Sequence, residues 1–69
     1  MNKIYNLSKN IKIIRLSLNL SQEQFAEKLG VGRATIGHWE TGYSLPDITN
    51  IIKIKETFNV SYEEIIDGI

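Results

Sequence analysis

The 69-residue sequence has no cysteine and only one proline, one histidine and one tryptophan. The absence of cysteine excludes a disulfide framework and a cysteine-based metal site. No stretch approaches the run of about 20 apolar residues that a membrane span requires, and the N-terminal residues lack the apolar core of a signal peptide. We therefore expect a cytoplasmic protein that has no membrane segment and needs no metal or other cofactor.

The net charge is zero, which taken alone argues mildly against nucleic-acid binding. Its distribution along the chain argues the other way. Residues 1–39 hold six basic residues against two acidic ones, a net charge of +4, whereas residues 40–69 hold two against six, a net charge of −4. A chain with a single DNA-facing side is expected to show such an asymmetry, although chance also produces it in short chains.

A chain of this length forms one domain, and its apolar residues recur at helical spacing. We predict an all-α fold, a compact bundle of five helices at about residues 7–18, 22–29, 33–41, 47–58 and 62–67. In the first helix the apolar stripe consists of Leu7, Ile11, Ile14 and Leu18. The fourth helix is expected to start at Asp47, a good N-cap directly after the proline. Its expected apolar set is Ile48, Ile51, Ile52, Ile54 and Phe58.

Residues 21–42 carry the most informative pattern, two short helices joined by a tight glycine turn. Ser21 and Gln24 form a capping box, in which each side chain satisfies the backbone N–H of the other residue. Gly30 is expected to end the first helix, because the residue after a helix end often takes a positive φ. In the second helix two apolar residues are expected to be buried, Ile36 and Trp39. Most of its other residues are polar or small and face outward.

The motif LSQEQFAEKLGV is followed by a polar helix ending in Trp39-Glu40, a glycine, and Pro46 four residues further on. This pattern resembles the lambda-repressor-like helix-turn-helix family, also called the xenobiotic-response-element family, which includes the phage Cro and repressor DNA-binding domains. The resemblance extends from about residue 7 to residue 66. It implies a five-helix domain that binds double-stranded DNA.

In a helix-turn-helix the second helix lies in the major groove, and its N-terminal residues meet base edges. This geometry and the resemblance both nominate Arg33, Ala34 and His38 as base-contacting residues. Arg33 can bond guanine O6 and N7 together, and Ala34 can lie against a thymine methyl group. The alternative for Arg33 and His38 is a solvated side chain with no partner.

Contacts with the DNA backbone are expected at Gln22, Thr35, Thr41, Tyr43 and Ser44. The resemblance implies a phosphate contact for Gln22, which begins the first helix of the pair, where free N–H groups favour an anion. It also implies an ion pair between Arg15 and Glu40 that joins helix one to the end of helix three. The alternative for that pair is two independent surface charges.

Two glycines depart from the family pattern. Gly32 occupies the N-cap of the reading helix, where serine or threonine is usual, and offers no side chain to a phosphate. Gly37 lies inside the same helix, where glycine costs about 0.5–1 kcal/mol relative to alanine. Gly37 either permits close approach to DNA or is simply tolerated.

We do not expect an enzyme, because the single His38 has no recognised catalytic spacing to Glu40 or Asp47. Nor does the sequence indicate a small-molecule ligand. The apolar residues Ile65, Ile66 and Ile69 are expected to form either a dimer surface or the seat of a missing partner, with ordinary core packing as the alternative. These features predict a sequence-specific transcriptional regulator that represses by binding a near-palindromic operator as a homodimer. The rival interpretation is a protein-binding helix-turn-helix module, such as an antitoxin or a regulator that acts through a partner protein.

Overall fold

A computed structural model describes residues 3–68, with side chains from residue 6 to residue 68. Within this range the backbone forms five helices and no strand. Their bounds are α1 Lys3–Ser17, α2 Gln22–Leu29, α3 Arg33–Thr41, α4 Ile48–Phe58 and α5 Tyr62–Ile66. α2 packs mainly against α3, α1 lies against α3 and α5, and α4 contacts α2 and α5. The predicted all-α, five-helix fold class is confirmed.

The bounds predicted for α1 were wrong at both ends. The helix begins at Lys3 rather than at residue 7, because residues 3–6 include no glycine or proline that would break a helix. It ends at Ser17 rather than at residue 18. Asn19 takes a left-handed φ of 58°, and the Leu20 N–H donates to the Arg15 carbonyl across this turn. Asparagine tolerates that conformation better than most residues.

Two further bounds differ from the prediction by one residue each. α4 begins at Ile48 because Asp47 is its N-cap, with an extended backbone (φ −75°, ψ 175°) and a carboxylate that accepts from the Asn50 N–H. α5 ends at Ile66 rather than at residue 67, since Asp67 is its C-cap. The predicted N-cap Asp47 is thus confirmed, whereas Asp67 caps α5 rather than lying inside it.

Local side-chain contacts define where α2 and α5 begin. Ser21 Oγ accepts from the Gln24 N–H at 3.0 Å, and the Ser21 N–H donates to Gln24 Oε1 at 2.9 Å. Ser61 and Glu64 form the same reciprocal pair at the start of α5. An N-cap of this kind is worth about 1 kcal/mol, which matters for helices of eight and five residues.

One apolar core lies where the five helices converge. Its buried members are Ile11, Ile14, Phe25, Ala26, Leu29, Ile36, Trp39, Ile51, Ile54 and Ile65. The Phe25 and Phe58 rings stack at a centroid distance of 4.6 Å, which joins α2 to α4. Asn10 Nδ2 donates to the Ile65 carbonyl at 3.1 Å, which joins α1 to α5. Every helix therefore contributes to the same core.

Three residues assigned to the apolar stripes are exposed instead. Leu18 is 39% exposed because it follows the end of α1. Ile48 and Ile52 are 68% and 38% exposed, because α4 is buried only on the side that faces α2 and α5.

Among residues 3–68, no helix is long and apolar enough to cross a membrane.

Candidate nucleic-acid interface

The turn between α2 and α3 sets the angle of the second helix against the first. Gly30 has a left-handed φ of 73°, which a residue with a Cβ adopts only with strain. The Val31 N–H then donates back to the Ala26 carbonyl at 3.0 Å, which closes the turn. Gly32 caps α3 with an extended backbone and makes no side-chain hydrogen bond. The short connection holds α3 across α2.

One side of α3 is buried and the other is open to solvent. Consecutive residues of an α-helix are rotated by about 100°, so residues 33, 34, 37, 38 and 41 share one arc. Ile36 is fully buried and Trp39 is 2% exposed on the opposite side. The three predicted base-contacting residues, Arg33, Ala34 and His38, are all exposed on the open arc.

The residues expected at the DNA backbone lie in different environments. Thr35 is half-buried, whereas Tyr43 is 80% exposed and its ring lies 4.7 Å from that of His38. Ser44 is exposed, and its N–H donates to the His38 carbonyl at 3.2 Å. The Thr41 hydroxyl already has two partners, since it donates to the His38 carbonyl at 3.3 Å and accepts from the Tyr43 N–H at 3.4 Å.

The structure brings Arg15, Glu40 and Gln22 together into one network. Arg15 Nε donates to Glu40 Oε2 at 2.6 Å, and Arg15 Nη2 donates to Glu40 Oε1 at 3.1 Å. Arg15 Nη1 also donates to the Leu20 carbonyl at 2.8 Å. The Arg15 and Glu40 side chains are only 10% and 4% exposed, so they are not independent surface charges. The network joins α1, the loop before α2, and the end of α3.

The third member of this network, Gln22, makes a contact that the sequence did not predict. Gln22 Nε2 donates to Glu40 Oε1 at 3.1 Å. A Cβ at Gly37 would stand 4.0 Å from both polar atoms of the Gln22 amide, so the amide lies beside the α3 backbone at this glycine. Nothing in the sequence indicated this contact, since Gln22 and Glu40 are 18 positions apart.

A second unpredicted contact holds the end of α2. Lys53 Nζ donates to the Leu29 carbonyl at 3.1 Å, which satisfies one of the last carbonyl groups of that helix. No local pattern indicated this contact, because the two residues are 24 positions apart. It anchors the first helix of the pair on α4.

The expected dimer surface is wrong in one of its three members. Ile65 is fully buried in the core, because α5 turns this residue toward α1. Ile66 is 40% exposed and remains accessible. Ile69 lies outside the described residues.

Among the side chains of residues 6–68, no group of three or more histidine, cysteine, aspartate or glutamate residues could hold a metal ion. The expectation of a domain that is neither metal-binding nor an enzyme stays a prediction.

A glycine turn holds α2 and α3 across each other, and α3 exposes a polar arc. This arrangement defines a helix-turn-helix domain. The family model for the helix-turn-helix matches residues 11–65. This chain belongs to that family, as its resemblance to the lambda-repressor-like domains implied.

Several curated proteins are similar to the chain. The HTH-type transcriptional activator BcrR of Enterococcus faecalis is 34% identical over 61 residues, which cover 88% of this chain and 30% of BcrR. The HTH-type transcriptional regulator ImmR of Bacillus subtilis is 30% identical over 61 residues, 88% of this chain and 48% of ImmR. The antitoxin PezA of Streptococcus pneumoniae is 37% identical over 60 residues, 87% of this chain and 38% of PezA.

The chain thus matches between 30% and 48% of the length of these three relatives. No solved structure matches it significantly.

Proposed function

We propose that this chain is a sequence-specific DNA-binding transcriptional regulator that places α3 in the major groove of its operator. The observation that carries the proposal is the division of α3 into a buried side and an exposed polar side. Ile36 and Trp39 hold the helix in the core while Arg33, Ala34 and His38 stay accessible. Membership in the helix-turn-helix family and the names of the regulators BcrR and ImmR support the same function.

Arg33 is the principal base-contacting residue in this proposal. It is the first residue of α3, where side chains of a helix-turn-helix meet base edges. Its guanidinium would donate to O6 and N7 of one guanine, Ala34 would contact a thymine methyl group, and His38 would meet a base one turn further along the helix.

Gln22, Thr35, Tyr43 and Ser44 are the proposed contacts with the DNA backbone. Gln22 is the first residue of α2, where unpaired N–H groups and the helix dipole favour a phosphate. Tyr43 and Ser44 follow α3 directly and are exposed. Thr41 would have to exchange a hydrogen bond with the His38 carbonyl for one with a phosphate, so it is the weakest candidate.

We propose that the chain acts as a homodimer and represses transcription. A two-fold symmetric dimer would match a near-palindromic operator with one half-site for each reading helix. Occupation of a promoter by a small domain suffices to block polymerase, whereas activation requires a further contact. Ile66 belongs to the expected dimer surface and is accessible in the part of the chain that the structure describes.

Selection of binding sites from a randomised duplex library, with the purified chain at moderate salt, tests the proposal. Two half-sites about 10 base pairs apart, centre to centre, are the expected result for a dimer. A single half-site would contradict the dimer but leave sequence-specific binding intact. No enrichment by a folded chain would contradict DNA binding.

A protein-binding module is the second candidate, and the similarity to the antitoxin PezA favours it. Under this alternative the chain would bind a partner protein and show no DNA preference. Failure of the library selection, combined with a stoichiometric complex with a co-expressed partner protein, would support it.

A further inference from the structure

We propose, on the basis of the function proposed above, that Glu40 is the positioning residue that orients the Gln22 amide for its phosphate contact. Gln22 Nε2 donates to Glu40 Oε1 at 3.1 Å, between the first residue of α2 and the last turn of α3. The assignment gives Glu40 a role in DNA binding without a DNA contact of its own.

The carboxylate selects one of the two orientations of the Gln22 amide. A glutamine amide has two N–H donors and one oxygen that only accepts. The flipped amide would place that oxygen against the Glu40 carboxylate, so that two acceptors would face each other. In the selected orientation one N–H donates to Glu40, and the second N–H is available to donate to a phosphate. The phosphate oxygens, like those of the carboxylate, can only accept.

Arg15 makes a carboxylate compatible with this position. A lone carboxylate near DNA would repel the phosphates, because both groups are negatively charged. Arg15 donates to both oxygens of Glu40, at 2.6 Å and 3.1 Å, and so neutralises the charge. Glu40 can therefore hold Gln22 without opposing the approach of DNA.

The amide also has neighbours on two sides in the DNA-free chain, Glu40 and the α3 backbone at Gly37. It lies beside Gly37, where an added Cβ would stand 4.0 Å from its nitrogen and from its oxygen. A side chain that is already held in its binding conformation loses less rotamer freedom on binding. Removal of Glu40 should therefore weaken the Gln22 contact even though Gln22 itself is unchanged.

A double-mutant cycle between Gln22→Ala and Glu40→Ala, read as affinity for the operator selected with the wild-type chain, tests the proposal. Glu40→Ala should lower the affinity about tenfold in the wild-type background but less than threefold in the Gln22→Ala background. The charge that Glu40→Ala leaves on Arg15 is present in both backgrounds and cancels in the comparison. Additive effects, or tighter binding of Glu40→Ala that depends on Gln22, would overturn the proposal.

Gln24→Ala provides the matched control. Gln24 is the second glutamine of α2, and its side chain accepts from the Ser21 N–H rather than contacting Glu40. Its effect on affinity should be the same with and without Glu40→Ala. Failure of the wild-type chain to bind any operator would contradict the proposed function, whereas additivity in a chain that binds would contradict only the role of Glu40.

A measurement on the unmodified protein guards against loss of the fold in Glu40→Ala. The two Nε2 protons of Gln22 give separate NMR signals, and the proton bonded to a carboxylate should be shifted downfield. On addition of the operator, that proton should keep its shift while the second proton moves. Loss of the downfield shift on binding would mean that Gln22 leaves Glu40 to reach DNA, which overturns the proposal.

Discussion

The two sides of α3 differ in what they contact, although they belong to the same nine-residue helix. Ile36 and Trp39 are buried among residues of the other helices, whereas Arg33, Ala34 and His38 touch solvent. Glu40 lies between these sides, and its side chain is only 4% exposed and bonded to both Arg15 and Gln22. We therefore expect stability and DNA recognition to depend on different residues of one helix, so that substitutions separate them.

The largest effect is expected at the buried side. Ile36→Ala should lower the free energy of unfolding by about 2–5 kcal/mol, because it removes three carbon atoms from a closed core and leaves a cavity. Urea unfolding followed by circular dichroism measures the loss. Ile48→Ala makes the same chemical change at a site that is 68% exposed, and should cost no more than about 0.5 kcal/mol. Equal losses at both sites would contradict the assignment of the core.

The ion pair between Arg15 and Glu40, which lies between the buried and the exposed side of α3, should give the next largest effect. Arg15→Met leaves the Glu40 carboxylate buried without its cation, and should lower the free energy of unfolding by about 3 kcal/mol. The double variant Arg15→Met/Glu40→Leu should regain most of that loss, since no unpaired charge remains. Lys12→Met, at an exposed lysine of α1, serves as the control in the same urea titrations. A double variant as unstable as Arg15→Met would contradict this explanation.

At the exposed side the effect should appear in DNA binding and not in stability. Arg33→Ala should cost about 1–3 kcal/mol of affinity for the selected operator and relax the preference at one base pair in each half-site. Its free energy of unfolding should stay within about 0.5 kcal/mol of the wild type. Gln22→Ala should instead weaken binding to all sequences alike, because a phosphate carries no sequence information. Equal effects of both variants on every sequence would reverse this division of roles.

The smallest effect is expected at Gly37, on the exposed arc. Gly37→Ala should raise the free energy of unfolding by about 0.5–1 kcal/mol, because alanine loses less backbone entropy in a helix. The new methyl group has room, since its nearest neighbours would be the Gln22 amide atoms at 4.0 Å. Urea titration measures the gain, and a loss of stability would contradict it. A weaker affinity for the operator in the stabilised variant would show that the glycine serves the approach of DNA.

Features within three or four positions of each other could be predicted from the sequence. The capping box at Ser21 and the positive φ at Gly30 follow from local chemistry, and both are present. The exposed position of Arg33 follows in the same way from helical periodicity. These predictions succeed because the groups involved lie within about one helical turn of each other along the chain.

Contacts between distant positions could not be predicted in this way. Gln22 and Glu40 are 18 positions apart, and Lys53 and Leu29 are 24 apart. The resemblance to a family supplied the Arg15–Glu40 pair, but it gave no indication that Gln22 shares the same carboxylate. The sequence also could not show which isoleucines of α4 are buried. Ile48 and Ile51 differ only in whether their side of the helix meets a neighbouring helix.

The sequence by itself determined five helices, most of their ends, and the residues that α3 turns outward, because helix periodicity and capping act over a few residues. The tertiary structure alone decided that Ile65 belongs to the core, that Ile48 does not, and that Glu40 holds Gln22. Each of these outcomes depends on how whole helices pack against one another. It therefore depends on contacts between residues that are far apart in the sequence.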